Sequence, residues 1–184
     1  MAAGANAREV LERIRTVRQI RQFRPDPVPQ EAVNDLLEIA RWTGSSRNTQ
    51  PWHFIVISDK ETLRQISRLR PPITWVADAP LAIAIVLDGA RPTSEAYDEG
   101  RVSERLLIAA QVLGLGGGVA WFGDASHETE AKRILGIPTE RTARSMVAIG
   151  YPISARDPRP NPARGGRKPL SEIVSYERFG ASKR

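Results

Sequence analysis

The chain has 184 residues, with 27 Lys and Arg against 21 Asp and Glu, two His and no Cys. Its length suits one domain over 1–184, and 41% hydrophobic content suits a packed globule rather than a disordered chain. The absence of Cys excludes disulfides, thiolate catalysis, Fe–S clusters and Cys-ligated zinc, and two His are too few for most imidazole-rich metal sites, so demanding chemistry has to be borrowed from a cofactor.

Residues 6–20 read as a first helix, with Val10, Ile14 and Val17 at i, i+4, i+7 and Asn6 as its cap. The Pro-punctuated run from Arg24 to Pro29 is extended, and a second helix opens at Pro29 or Gln30 with Val33, Leu36, Leu37 and Ala40 inward. A polar loop, Gly44 to Asn48, leads through Pro51 into a strand at Phe54–Ile57. Asp59 caps a short helix that Pro71-Pro72 stops. Leu81 to Leu87 is continuously apolar, as expected for a strand buried on both faces.

The longest helix covers 94–113 and ends at Gly114 and Gly116, before a strand at Val119–Phe122. Another helix starts at Ser126 and stops at Gly136, and a final buried strand spans Ser145–Ile149. Residues 154–169 form a Pro/Gly/Arg tail without periodicity, after which 170–179 regain an apolar pattern and are expected to dock. Alternating helices and strands predict a sandwich around a small sheet.

The formal charge of +6 is scattered among acids, which predicts a mixed surface and no nucleic-acid partner. The longest apolar stretch, Leu106 to Phe122, holds Gln111 and four glycines and falls short of the ~20 residues of a membrane span. Residues 1–9 lack a leader pattern, so a cytoplasmic protein without membrane attachment is expected.

Nucleophile motifs and phosphate loops are absent: there is no G-x-S-x-G, no G-x-x-x-x-G-K-[ST], and the glycines of 114–118 follow a helix where a dinucleotide fingerprint would precede one. Arg15, Arg18 and Arg21 share a broad face if the first helix reaches residue 21. They are either a solvated surface or guanidinium forks for phosphate and polarised carbonyls. The loop Ser45-Ser46-Arg47-Asn48-Thr49-Gln50-Pro51-Trp52 is either an ordinary turn or a polar holder for a planar ligand walled by Trp52.

Together these segments resemble the nitroreductase superfamily of flavin enzymes. Val17-Arg18-Gln19-Ile20-Arg21-Gln22-Phe23 is similar to the family's R-R-S-x-R-x-F opening. Residues 43–54 are similar to its A-P-S-S-x-N-x-Q-P-W-x-F segment. Gly114 to Gly123, Leu135 to Pro138, Ile149 to Pro152 and Arg167 to Leu170 are similar to later family marks. Val17 and Gln19 depart from the opening's Arg and Ser, and Gly44 from the loop's Pro.

The resemblance implies an α+β fold: an α/β sandwich whose central, mostly antiparallel sheet is flanked by helices, in an intertwined homodimer with a C-terminal extension over 153–184 that wraps the partner. It implies FMN as cofactor and NAD(P)H as electron donor. Nitroaromatics, quinones or another electron-poor small molecule would be reduced by ping-pong hydride transfer at flavin N5, with no catalytic side chain and no metal. Relatives with the same fold fragment FMN, dehalogenate or oxidise azolines, and a non-catalytic flavin or anion binder is the remaining alternative. By resemblance, Arg18 and Gln19 face the phosphate or ribityl chain and Arg21 the N1–C2 edge. Ser45, Ser46 and Asn48 come from the other subunit, with Gln50 supporting their loop. Backbone at Trp121, Phe122 and Gly123 nears N5, and Arg167 and Lys168 clamp the phosphate. Residues 64–78 and 89–101 are the expected lid pieces, with Trp75 and Tyr97 as their aromatics.

Overall fold

A computed structural model describes residues 2–154 and 167–181. Most of the expected tail at 154–169 lies outside the described residues. Six helices are described: α1 (Ala2–Thr16), α2 (Gln30–Arg41), α3 (Lys60–Ser67), α4 (Pro92–Val112), α5 (Ala125–Leu135) and α6 (Leu170–Ile173). The strands are β1 (Trp52–Ile57), β2 (Leu81–Leu87), β3 (Gly116–Trp121) and β4 (Thr142–Gly150). They form one sheet in the order β1-β2-β4-β3, every neighbouring pair antiparallel.

Period-2 alternation in β2 divides the core. Ala82, Ala84 and Val86 face a layer built by α3, α5 and the 3-10 segment Pro71–Asp78, while Leu81, Ile83, Ile85 and Leu87 face α2 and α4. All seven residues of β2 are buried, which is why its apolar run shows no polar alternation. The small side chains of one face and the larger ones of the other set how closely each helical layer approaches.

Several boundaries differ from the sequence expectation, each for a physical reason. The first helix stops at Thr16, whose hydroxyl bonds back to the carbonyls of Glu12 and Arg13. Residues 17–23 then run extended beside the sheet: Ile20 N donates to Gly117 O at 2.8 Å, and Phe23 pairs with Pro152. Arg15, Arg18 and Arg21 therefore do not share a helical face.

Gly116 is not a helix terminator. Gly114 at φ +74° ends α4, and the three following glycines lie inside β3. They need no ligand to explain them. A Cβ at Gly117 would sit 2.8 Å from Leu107, and one at Gly118 would sit 2.4 Å from Ile20 O and 2.8 Å from the Trp75 ring. Asp124, rather than Ser126, caps α5. α3 ends at Ser67, ahead of Pro71-Pro72, and the two prolines open a 3-10 segment that buries Ile73, Trp75 and Val76. Trp75 in that segment packs in the core, 6.3 Å from Phe23, so it does not line a lid; Tyr97 is exposed. The segment from Leu170 does not dock on its own chain: Leu170, Ile173, Tyr176 and Phe179 are exposed.

Candidate functional site

A groove with polar groups along its length follows the outer edge of β3, between the 17–23 segment and α4. Two adjoining cavities share Leu107 as a wall. One, about 340 Å³, is lined by Arg18, Ile20, Gln111, Gly116 and Pro152 among others. The next, about 480 Å³, is lined by Gln19, Glu99, Ser103, Val119, Trp121 and Arg144 among others. The groove thus has a cationic end at Arg18, an amide in the middle at Gln19 and an indole at the far end, Trp121.

Local chemistry places each group. Arg18 is exposed, and its Nη1 donates to the carbonyls of Arg15 and Val17, which would otherwise be unsatisfied at the end of α1. Gln19 is half-buried, and its Oε1 accepts from Val119 N at 2.7 Å, so a side chain supplies a ladder bond of the edge strand. Arg21 leaves the groove and lies over the Trp75 ring, 5.8 Å from its centroid.

Trp121 is 55% exposed, and Arg70 covers its ring with the guanidinium carbon 5.0 Å from the centroid. Phe122 is a core residue, and its N–H is already bonded to Arg144 O, so that backbone donor is engaged. Gly123 has φ +121° and a Cβ there would lie 3.1 Å from His127 Nδ1 and 3.2 Å from Arg70 Nη1, so glycine is required.

Two acidic groups that the sequence reading missed organise α4. Glu99, buried, accepts from Arg144 Nη1 at 2.9 Å and from the Ser145 hydroxyl, tying α4 to β4 at the floor of the groove. Asp98, also buried, accepts from Ser46 N at 3.3 Å and lies 3.5 Å from Arg101, which itself donates to Gly44 O. Buried carboxylates on a helix are costly unless paired. Their occurrence at adjacent positions in an otherwise mixed helix was the available signal.

The 45–50 loop stands apart from the β3 groove within one chain. Ser45 is half-buried, and its Oγ accepts from Gln50 N at 2.8 Å; Ser46, Asn48 and Gln50 are exposed. Arg47, Asn48 and Gln50 take φ of 54°, 55° and 47°, a left-handed conformation that costs about 1 kcal/mol for residues with a Cβ. Three such residues in four positions are held by the Asp98 and Arg101 tethers. Arg167 and Lys168 are exposed just ahead of α6. Of the sequence-predicted residues, Arg18, Gln19 and Trp121 meet in the groove, and Gly123 follows Trp121. Arg21 lies on Trp75, and the Ser45–Gln50 loop and the Arg167–Lys168 pair lie elsewhere on the chain.

Residues 14–72, which include both the groove's 17–23 edge and the strained loop, match the Nitroreductase family model. A Methanothermobacter thermautotrophicus protein, provisionally named NADH dehydrogenase/NAD(P)H nitroreductase, is 34% identical over 150 residues, covering 78% of this chain and 78% of its own length. The chain belongs to the nitroreductase family. An Archaeoglobus fulgidus protein of the same name is 33% identical over 159 residues, covering 81% and 88%. Among solved structures, a Desulfovibrio desulfuricans nitroreductase-type protein in complex with FMN superimposes with a TM-score of 0.75 at 27% identity, over 92% of this chain and 97% of that one. The mixed helical and antiparallel-sheet architecture is therefore the nitroreductase fold. No described helix is long and apolar enough to cross a membrane.

Proposed function

We propose that this nitroreductase-family chain is an FMN-dependent NAD(P)H oxidoreductase acting on nitroaromatics, quinones or a related electron-poor small molecule. The observation that carries the reading is the β3 groove: a six-residue strand spans about 20 Å, enough for an elongated cofactor with an anionic end and a planar end. The residues fit FMN. Arg18 offers a cation at one end, Gln19 an amide beside a polyol chain, and Val119 and Leu107 an apolar floor for a ring. The relatives named for NAD(P)H activity and the FMN complex of a neighbouring fold support the choice of cofactor and donor.

FMN, when bound, supplies the two-electron chemistry between a reduced nicotinamide and the acceptor. The chain binds and orients. Arg18 and Gln19 hold the phosphate and ribityl end, joined by Arg167 and Lys168 from the segment that follows Pro152. Arg21 sets positive charge near the N1–C2 edge of the ring by turning from Trp75 back toward the groove, and backbone at Trp121, Phe122 and Gly123 borders N5. Ser45, Ser46 and Asn48 reach the site from a second copy, with Gln50 bracing their loop. Exposed Val10, Leu11 and Ile14 on α1, with Leu170, Ile173 and Phe179 near the C-terminus, supply the apolar surface that a homodimer wrapped by residues 153–184 would cover. Dimerisation would bring the two separated groups together in a single-domain protomer of the cytoplasm.

The test is a visible absorption spectrum of the purified protein, recorded before and after anaerobic addition of NADH or NADPH. Flavin bands that bleach with either donor are the expected result. A protein that takes up no flavin after soaking with FMN overturns the reading.

A further inference from the structure

At the far end of the groove one guanidinium has no counter-charge. Arg70 lies over the exposed Trp121 ring, 5.0 Å from its centroid, and its Nη1 reaches within 3.2 Å of the Cβ position of Gly123. It is half-buried, yet among the described residues no carboxylate or carbonyl accepts from it. The acids nearby are committed elsewhere. Asp124 accepts from Ser126 and His127 at the head of α5, with His127 Nδ1 2.9 Å away. Glu99 is occupied by Arg144 and Ser145.

Packing alone does not require a cation there. An apolar chain of the same length would cover the indole equally well, and partial burial of an unneutralised guanidinium costs solvation. Trp121 lines the 480 Å³ cavity, and Arg70 reaches that cavity through the indole it covers rather than as part of its wall.

We propose that Arg70, stacked on Trp121, is a specificity residue that receives an anionic group of the ligand lying in the groove. A carboxylate on the electron acceptor and the pyrophosphate of the nicotinamide donor share the required chemistry. A delocalised guanidinium held over an indole still has N–H donors free to meet either. The inference rests on the flavin reading, because it assumes that the groove's far end is where ligands meet the ring.

The experiment measures dissociation constants by calorimetry on FMN-loaded protein, for wild type, Arg70→Met and Arg70→Lys. The probes are 4-nitrobenzoate against the uncharged 4-nitrobenzamide, and NADP⁺ against uncharged nicotinamide. The Met variant is expected to weaken one anionic probe by about tenfold, while its neutral counterpart changes less than about twofold and Lys restores part of the loss. Selective loss for 4-nitrobenzoate identifies the acceptor as the source of the anion, and selective loss for NADP⁺ identifies the donor. Equal weakening of charged and neutral probes, or no change in any, overturns the proposal. Flavin content, read from the visible spectrum of each variant, separates that failure from failure of the flavin reading itself.

Discussion

Replacing Gly118 by Ala tests whether the glycines of β3 exist to let the 17–23 segment lie against the sheet. The added Cβ would fall 2.4 Å from Ile20 O and 2.8 Å from the Trp75 ring, both fixed groups. Relief requires the segment to move out by about 1 Å, an overpacking strain of roughly 1–3 kcal/mol. That movement stretches the bond from Ile20 N to Gly117 O, now 2.8 Å, and the bond from Val119 N to Gln19 Oε1, now 2.7 Å. Each contributes about 1 kcal/mol net. The combined loss is about 3 kcal/mol, which for a chain of this length lowers the melting temperature by about 6–12 °C. FMN affinity should fall in the same variant, since Arg18 and Gln19 ride on the displaced segment. Gly44→Ala is the control, because nothing lies within 4 Å of its Cβ position and its φ is not positive. Thermal melts and an FMN titration of the three proteins decide the matter. A Gly118→Ala protein that melts within about 2 °C of wild type and keeps its flavin affinity would refute the reasoning.

Glu99→Ala leaves Arg144 without its carboxylate at the α4–β4 contact and should destabilise by about 2–3 kcal/mol in chemical denaturation, below the full cost for a buried pair because Arg144 is partly exposed; Glu99→Gln, which keeps both hydrogen bonds possible, should lose less. Asp124 is held down at about 2, first by the Ser126 hydroxyl and then by His127 N–H, so its cap of α5 acts above the ordinary carboxylate range and is lost as pH falls toward 2. The melting-temperature gap between wild type and Asp124→Ala should accordingly be full at about pH 5 and close toward about pH 2, and a gap constant across that window would contradict the capping assignment. Substituting Arg167 and Lys168 together by Gln should weaken FMN by about tenfold while leaving riboflavin, which lacks the phosphate, unchanged; equal loss for both ligands would show that these residues do not meet the phosphate.

The parts of the fold visible in the sequence are those fixed by local physics. The buried run Leu81–Leu87 coincides with β2 residue for residue, because no polar position interrupts it. The Asp59 cap and the Gly136 stop have side-chain or φ requirements that only a few residue types meet. The end of α1 was not visible, since Val17 and Ile20 continue a helical spacing and only the distant β3 edge pulls them into an extended path. Gly116 was expected at the helix end, whereas contacts from residues 20, 75 and 107 require glycine at 116–118 within a strand. At the site, the groove residues Arg18, Gln19 and Trp121 were legible through motif order. Asp98, Glu99 and Arg70 were not, because each acquires its role from partners 45 or more residues away or across a chain reversal.

The Gln19 side chain closes the hydrogen-bond ladder of an edge strand and also faces the groove. On the flavin reading proposed above, ligand contact and sheet termination are encoded at one codon. A shorter residue there would bare the Val119 N–H just beyond the Ile20–Gly117 bond, on the part of the strand edge that a foreign chain could pair with. Drift in cofactor preference should consequently proceed through neighbours such as position 18, whose carbonyl contacts are dispensable to the sheet. Position 19 would stay frozen unless a second change supplied a new acceptor, so the architecture channels which evolutionary routes to altered flavin chemistry are open.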